Sequence, residues 1–253
     1  MTVIHGLALT YLLASLIGAE SSGSMPVETS PVHVVLIGGF VSDPSPEQLE
    51  GTAGRGGNSG LYRLLGDLTQ YDRVSAEYFN WNGTRAGKIK SPEPPMAAGL
   101  AESLRDYHEA NPEHRLMIVG NSWGGHAARE VCELLADEPV VQVEHVIFLD
   151  PSSLARVKHG QRAGELPANV KRATNYYTRH LLSWRKWENE SRVENIDLGD
   201  PSHGFQFEGG PPYDSTIDTR GHIYAEWDER IHYDIRRRIA HERFATVRTA
   251  RRD

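Results

Sequence analysis

The chain has almost no cysteine: one, Cys132, in 253 residues. That excludes an internal disulfide and any metal cluster built on cysteine. An excess of one charge sign is also missing. Lys and Arg number 27 against 34 Asp and Glu, a formal net charge of −7, with the two signs interspersed. Nothing suggests a nucleic-acid groove or a patch for an anionic membrane. The one basic cluster, Arg236-Arg237-Arg238 with Arg248, Arg251 and Arg252, reads as a solvated last helix and tail. Repeats and linker-like stretches are absent, so one large α/β domain over residues 31–253 is expected rather than two small ones. The Gly-rich Gly54-Arg55-Gly56-Gly57 lacks the Lys-Ser/Thr ending of a phosphate loop and reads as a loop before an N-capped helix. His108 and His114 straddle Asn111-Pro112 with no partner at metal-ligand spacing. No metal or organic cofactor is expected.

Long apolar runs are scarce too. The chain has one, Gly6 to Ala19, which is free of charge and too short to span a bilayer comfortably. It ends in small residues and is followed by the polar Glu20-Ser21-Ser22-Gly23-Ser24, the pattern of a secretory signal peptide cleaved near Ala19. Met1 to His5 departs from that pattern, for it holds no Lys or Arg. A buried N-terminal helix and a membrane anchor are the other readings. The signal-peptide reading makes residues 1–30 a leader and the protein secreted or periplasmic, with no integral membrane segment in the mature chain; the alternative is cytoplasmic. Two glycosylation sequons, Asn82-Gly83-Thr84 and Asn189-Glu190-Ser191, are present.

From residue 32 short β-rich runs alternate with helical patterns. Strands are expected at Val32–Gly38, Arg73–Asn80, Arg115–Gly120, Val143–Asp150, Ala173–Thr178 and Val193–Leu198. Several are near-continuously apolar, as parallel strands covered on both faces are. Helices are expected at Ser59–Gln70, Met96–Ala110 and Gly125–Ala136. Ile223, Trp227, Ile231, Ile235 and Ile239 recur every four residues and predict one last helix with a core-facing stripe. The alternation predicts a mostly parallel sheet flanked by helices. Between Pro151 and Tyr213 the pattern weakens; a cap over the site, within 151–215 and including Trp184 and Trp187, is left open.

Gly120-Asn121-Ser122-Trp123-Gly124 carries the chemistry. It follows the apolar Leu116-Met117-Ile118-Val119 and opens a helical segment. A serine on a strand-to-helix turn this tight needs Gly two residues to either side. In open α/β sheets ligands bind beyond the carboxyl ends of the strands. That places Gly38-Gly39-Phe40, Asn80-Trp81, Ser122 and Asp150 on one edge. A serine hydroxyl needs a base, a carboxylate to orient the base, and donors for a developing oxyanion. Asp150, ending an apolar strand before Pro151, is the expected acid, with Asp197 and Asp200 as rivals. His222, in a loop just before the final helix, is the expected base, with His203 and His180 as rivals. The expected oxyanion donors are the backbone N–H groups of Trp123 and Phe40. Cys132, inside the helix after Ser122, reads as packing.

On these motifs, residues from about 32 to 240 resemble an α/β-hydrolase of the lipase/esterase kind. The elbow Gly120-Asn121-Ser122-Trp123-Gly124-Gly125 matches the family pattern, and Leu149-Asp150-Pro151 resembles the segment bearing the triad aspartate in pancreatic-type lipases. Ile37-Gly38-Gly39-Phe40 is similar to their His-Gly-Phe oxyanion loop, with Gly38 in place of the His. The resemblance implies an α/β-hydrolase fold and cleavage of a small-molecule or lipid ester through an acyl-enzyme on Ser122, His222 and Asp150, without metal or cofactor. The alternatives are a non-catalytic binding protein of the same fold, or the same fold acting on an amide, thioester or lactone. Oligomeric state is open. For the leader, N-terminal sequencing of the secreted protein is expected to start near Glu20; an intact Met1 overturns cleavage.

Overall fold

The computed structural model describes residues 30–40, 42–54, 56–81, 96–137, 139–152, 165–184 and 186–244. The apolar leader, the Asn82 sequon, Arg248, Arg251, Arg252 and residues 153–164 of the cap region lie outside them.

Among the described residues, six strands form one sheet: β1 (Val32–Gly38), β2 (Val74–Asn80), β3 (Arg115–Asn121), β4 (Val143–Leu149), β5 (Ala173–Tyr177) and β6 (Val193–Asp197). Their order is β2-β1-β3-β4-β5-β6 and every pairing is parallel. The chain leaves β1 for β2 on one side, then returns to β3 on the other. This puts the reversal of strand order between β1 and β3, where α/β sheets hold their ligand crevice. The helices are α1 (Pro46–Leu49), α2 (Gly60–Leu68), α3 (Met96–Ala110), α4 (Trp123–Leu135), α5 (Thr219–Ala225) and α6 (Glu229–Phe244).

Side-chain alternation along the strands builds a core on each face of the sheet. Val35 and Ile37 of β1 face α3 and α4, where Leu100, Leu104, Val131, Cys132 and Leu135 meet Phe148. Val32, Val34 and Leu36 face α2 and α6, meeting Leu61, Leu64, Leu68, Ile231 and Ile235. With both faces covered, β1 is buried at every position, which is why its sequence is apolar but for His33, whose Nδ1 bonds the Ser75 hydroxyl at 2.8 Å. Each fully buried Leu, Ile or Val contributes about 1.5–3 kcal/mol. This is the expected parallel sheet flanked by helices, and the strands lie within a residue or so of their expected bounds.

Three expectations need correction. The last apolar stripe does not lie on one helix: it breaks at Glu226–Asp228, so Ile223 sits on α5 and is 56% exposed, while Ile231, Ile235 and Ile239 stay buried. His222 is inside α5 rather than in a loop, and Asp218 caps that helix by accepting from the Arg220 N–H. The helix after Ser122 begins two residues before Gly125, at Trp123. As for the cap region, its described part contributes β5 and β6 to the sheet. Trp184 and Trp187 pack against Phe148 in the α3/α4 core, with ring centroids 6.0 and 5.5 Å from it.

Candidate active site

Register aligns the carboxyl ends of the strands. Gly38 pairs with Asn80, Ile37 with Gly120, Asn121 with Leu149, and Leu149 with Tyr176. Ser122 follows β3 and Asp150 follows β4, so both stand on one rim, a strand apart.

At the elbow, backbone meets backbone. A Cβ on Gly120 would lie 2.4 Å from the Gly124 carbonyl oxygen, and one on Gly124 would lie 2.1 Å from that of Ile37. Only glycine fits either position. The crossing holds Ser122 at φ 51°, ψ −119°, a region that costs a non-glycine residue about 1–3 kcal/mol. Its N–H donates to the Leu149 carbonyl at 3.0 Å, and its carbonyl accepts from Gly125 and Ser152 N–H, both at 3.0 Å. The side chain is 7% exposed.

The Ser122 hydroxyl lies 2.8 Å from His222 Nε2, although the residues are 100 positions apart. His222 Nδ1 lies 2.6 Å from Asp150 Oδ2. A carboxylate only accepts, so Nδ1 carries the proton and Nε2 is left to accept from the serine. Asp150 is fully buried, also at positive φ (43°). Thr178 N–H donates to its Oδ1 at 2.7 Å, and the Thr178 and Ser183 hydroxyls each donate to Oδ2 at 2.9 Å. These donors offset the desolvation of the carboxylate and fix its plane. Burial disfavours the charged His222 ring, but the Asp150 charge and hydrogen bond, with Glu226 behind them, outweigh it and lift the His222 pKa above 6.5.

The rivals are engaged elsewhere. Asp197 binds Arg179 at 3.1 Å, Asp200 caps the turn Pro201–His203, and His203 Nδ1 bonds the Asp197 carbonyl. His180 stacks beside His222, centroids 6.1 Å apart, and its Nδ1 accepts from Leu182 N–H. Burial and the neighbouring His222 lower its pKa.

The expected oxyanion groups flank the serine. Trp123 is the first residue of α4, where helix geometry leaves N–H groups without intrahelical acceptors. Phe40 lies in the turn closed by Ser42 N–H on the Gly39 carbonyl, and a Cβ on Gly39 would come within 2.8 Å of Ser122 Cβ. The space a side chain at Gly38 would need is filled by the Tyr78 phenol, whose oxygen lies 1.9 Å from that Cβ position. Phe40, Trp81 and Trp123 form one aromatic group, with centroids 4.7–6.0 Å apart.

Sequence reasoning missed Thr178, Ser183, and Ser152, whose hydroxyl is 3.1 Å from that of Ser122. Thr178 is foreshadowed by ending the strand beside Asp150; Ser183 and Ser152 carry no signal in spacing. Cys132 is buried in the core, where burial pushes its thiol pKa up.

No family model matches the chain, and no curated protein matches it. Solved structures of similar arrangement include the catalytic core domain of an acetyl xylan esterase from Trichoderma reesei (13% identity, 88% of this chain and 99% of that one, TM-score 0.37). Others are YbtT, a type II thioesterase from the yersiniabactin NRPS/PKS pathway (14%, 86% and 94%, TM-score 0.42), and an alpha-beta serine hydrolase homologue from Coxiella burnetii (14%, 66% and 77%, TM-score 0.39). What the site does is read from its own atoms.

Thr178→Val removes one hydroxyl donor to the buried carboxylate at near-constant shape. Urea unfolding is expected to show a loss of about 1.5–3 kcal/mol; unchanged stability would mean the bond contributes nothing.

Proposed function

We propose that this protein is a serine hydrolase that cleaves a carboxylic ester through an acyl-enzyme. The observation that carries the reading is the unbroken hydrogen-bonded line from Ser122 Oγ through both ring nitrogens of His222 to Asp150 Oδ2. Ser122 Oγ attacks the ester carbonyl carbon as its proton passes to Nε2. The carbonyl π electrons move onto oxygen, and the Phe40 and Trp123 N–H groups receive the oxyanion. Collapse of this intermediate expels the alkoxide, which takes the Nε2 proton and departs as alcohol. Water then attacks the acyl carbon, giving a proton to Nε2, and Ser122 Oγ leaves as it regains that proton. Asp150 stays ionised throughout, holds the ring with Nδ1 protonated and stabilises the imidazolium.

The elbow supports this reading independently of the triad. Its strained turn presents the hydroxyl at the head of α4, with the helix N-terminus behind it, where negative charge would develop. An apolar or aromatic part of the substrate would lie against Phe40, Trp81 and Trp123.

Ser122→Ala is expected to lower kcat on p-nitrophenyl esters by about 10⁴-fold or more with the fold intact by circular dichroism. Equal turnover would sink the assignment. The base works only when neutral, and its pKa is raised. The acid limb of kcat/KM is therefore expected to reach half-height above pH 6.5, with rate climbing as pH rises through that point. A limb centred below pH 6.5 would contradict it.

A further inference from the structure

Glu226 is a buried carboxylate. It is 6% exposed, and among the described residues no ion pair includes it. Its oxygens instead gather donors from two other segments. The Ser42 hydroxyl donates to Oε2 at 2.7 Å. The Ser59 hydroxyl lies 3.0 Å from Oε1, and Leu61 N–H donates to the same oxygen at 3.2 Å. Ser59 is the N-cap of α2 and Leu61 belongs to its first turn, so the carboxylate sits at that helix's positive end. Ser42 follows the Gly39-Phe40 turn by two residues. Glu226 itself follows α5 directly and stands four residues, one helical turn, after His222. One buried group therefore joins the loop with the Phe40 N–H, the start of α2 and the helix with the base.

The titratable groups facing it are few. From β2 comes Tyr78, whose hydroxyl donates to the Ser42 carbonyl and lies 3.1 Å from Ser59 Oγ. Asp43, beyond Ser42, acts on Tyr78 through charge and bonds Asn80. From α5 comes His222. From α6 comes His232, whose Nε2–H donates to the Glu226 carbonyl at 2.7 Å. The Glu226 charge favours the protonated form of His222.

We propose that Glu226 is a positioning residue for hydrolysis: its carboxylate ties the Phe40 loop to the His222 helix and supplies a second negative charge behind the base. This rests on the hydrolase reading above. Burial raises the Glu226 pKa, and the Ser42, Leu61, Ser59 and Gly60 donors oppose that rise.

Glu226→Gln keeps the shape and one acceptor oxygen, turns the other oxygen into an NH2 donor that a serine hydroxyl can accept, and removes the charge. With the charge gone, the imidazolium loses support, so the His222 pKa falls. The NMR titration of the His222 ring and the acid limb of kcat/KM are both expected to move down by about half a pH unit, less than the shift from a directly bonded carboxylate. On p-nitrophenyl acetate, kcat should drop about three- to tenfold with KM within about twofold. Ser42→Ala keeps the charge and cuts the loop tie. It should lower kcat by a similar factor without moving the His222 titration, and it decides the loop tie should Glu226→Gln fail to fold. Identical His222 titrations in wild type and Glu226→Gln overturn the charge role. Wild-type turnover in Ser42→Ala overturns the loop tie. A fluorophosphonate probe on the wild type separates this proposal from its premise: no labelling at Ser122 defeats the hydrolase reading, while the titration, which needs no substrate, still decides the link between Glu226 and His222.

Discussion

The site depends on a backbone crossing. The turn from β3 into α4 doubles back so tightly that Gly120 has no room for a methyl group against Gly124, and it passes so close to the end of β1 that Gly124 has none against Ile37. This contact seats α4 against the sheet, forces Ser122 into its left-handed conformation and presses Gly39 against the serine side chain. Hydrogen bonds from Ser122 to Leu149 and from Ser152 to Ser122 then lock the turn to β4. The strain at Ser122 persists because these neighbours over-determine it, each on a strand end fixed by parallel register.

Asp150 shows how such a rim tolerates charge. A fully buried carboxylate is costly unless every lone pair is used. Here one side of the group faces Thr178 N–H and the other takes three donors, only one of which is catalytic in the proposed scheme. Thr178 and Ser183 therefore solve a solvation problem first and, by solving it, orient His222. Glu226 poses the same problem two segments away, with two serine hydroxyls and a helix N-terminus in place of the threonine.

The sequence made the sheet and the elbow legible because each rests on local physics. Doubly covered strands are mostly apolar, with a buried histidine in β1 and in β4 as exceptions, and a crossing without room must be glycine. Asp150 was legible for a related reason, since it ends such a strand where Pro151 enforces a turn. The final helices were harder. Isoleucine at every fourth position continues across Glu226–Asp228 without regard to the break, so periodicity alone merges α5 with α6. The correcting signal was present in Asp218 and Asp228, each accepting from the N–H two residues on and each marking a helix start. Trp184 and Trp187 lie in a polar stretch whose pattern does not say what they pack on; long-range packing on Phe148 takes them into the core. Ser152, Ser183 and the Ser42–Ser59–Glu226 cluster were not legible, because nothing in a serine's neighbours along the chain reveals a partner 30 or more residues away in sequence.

The separation of 100 residues between Ser122 and His222 has a consequence for biogenesis. The nucleophile, its turn and the strands on either side of it are complete before α5 leaves the ribosome. During synthesis the hydroxyl is therefore already presented while its proton acceptor is still missing. On the hydrolase reading proposed above, a nascent chain would hold an inert rim, and reactivity would begin only when α5 docks.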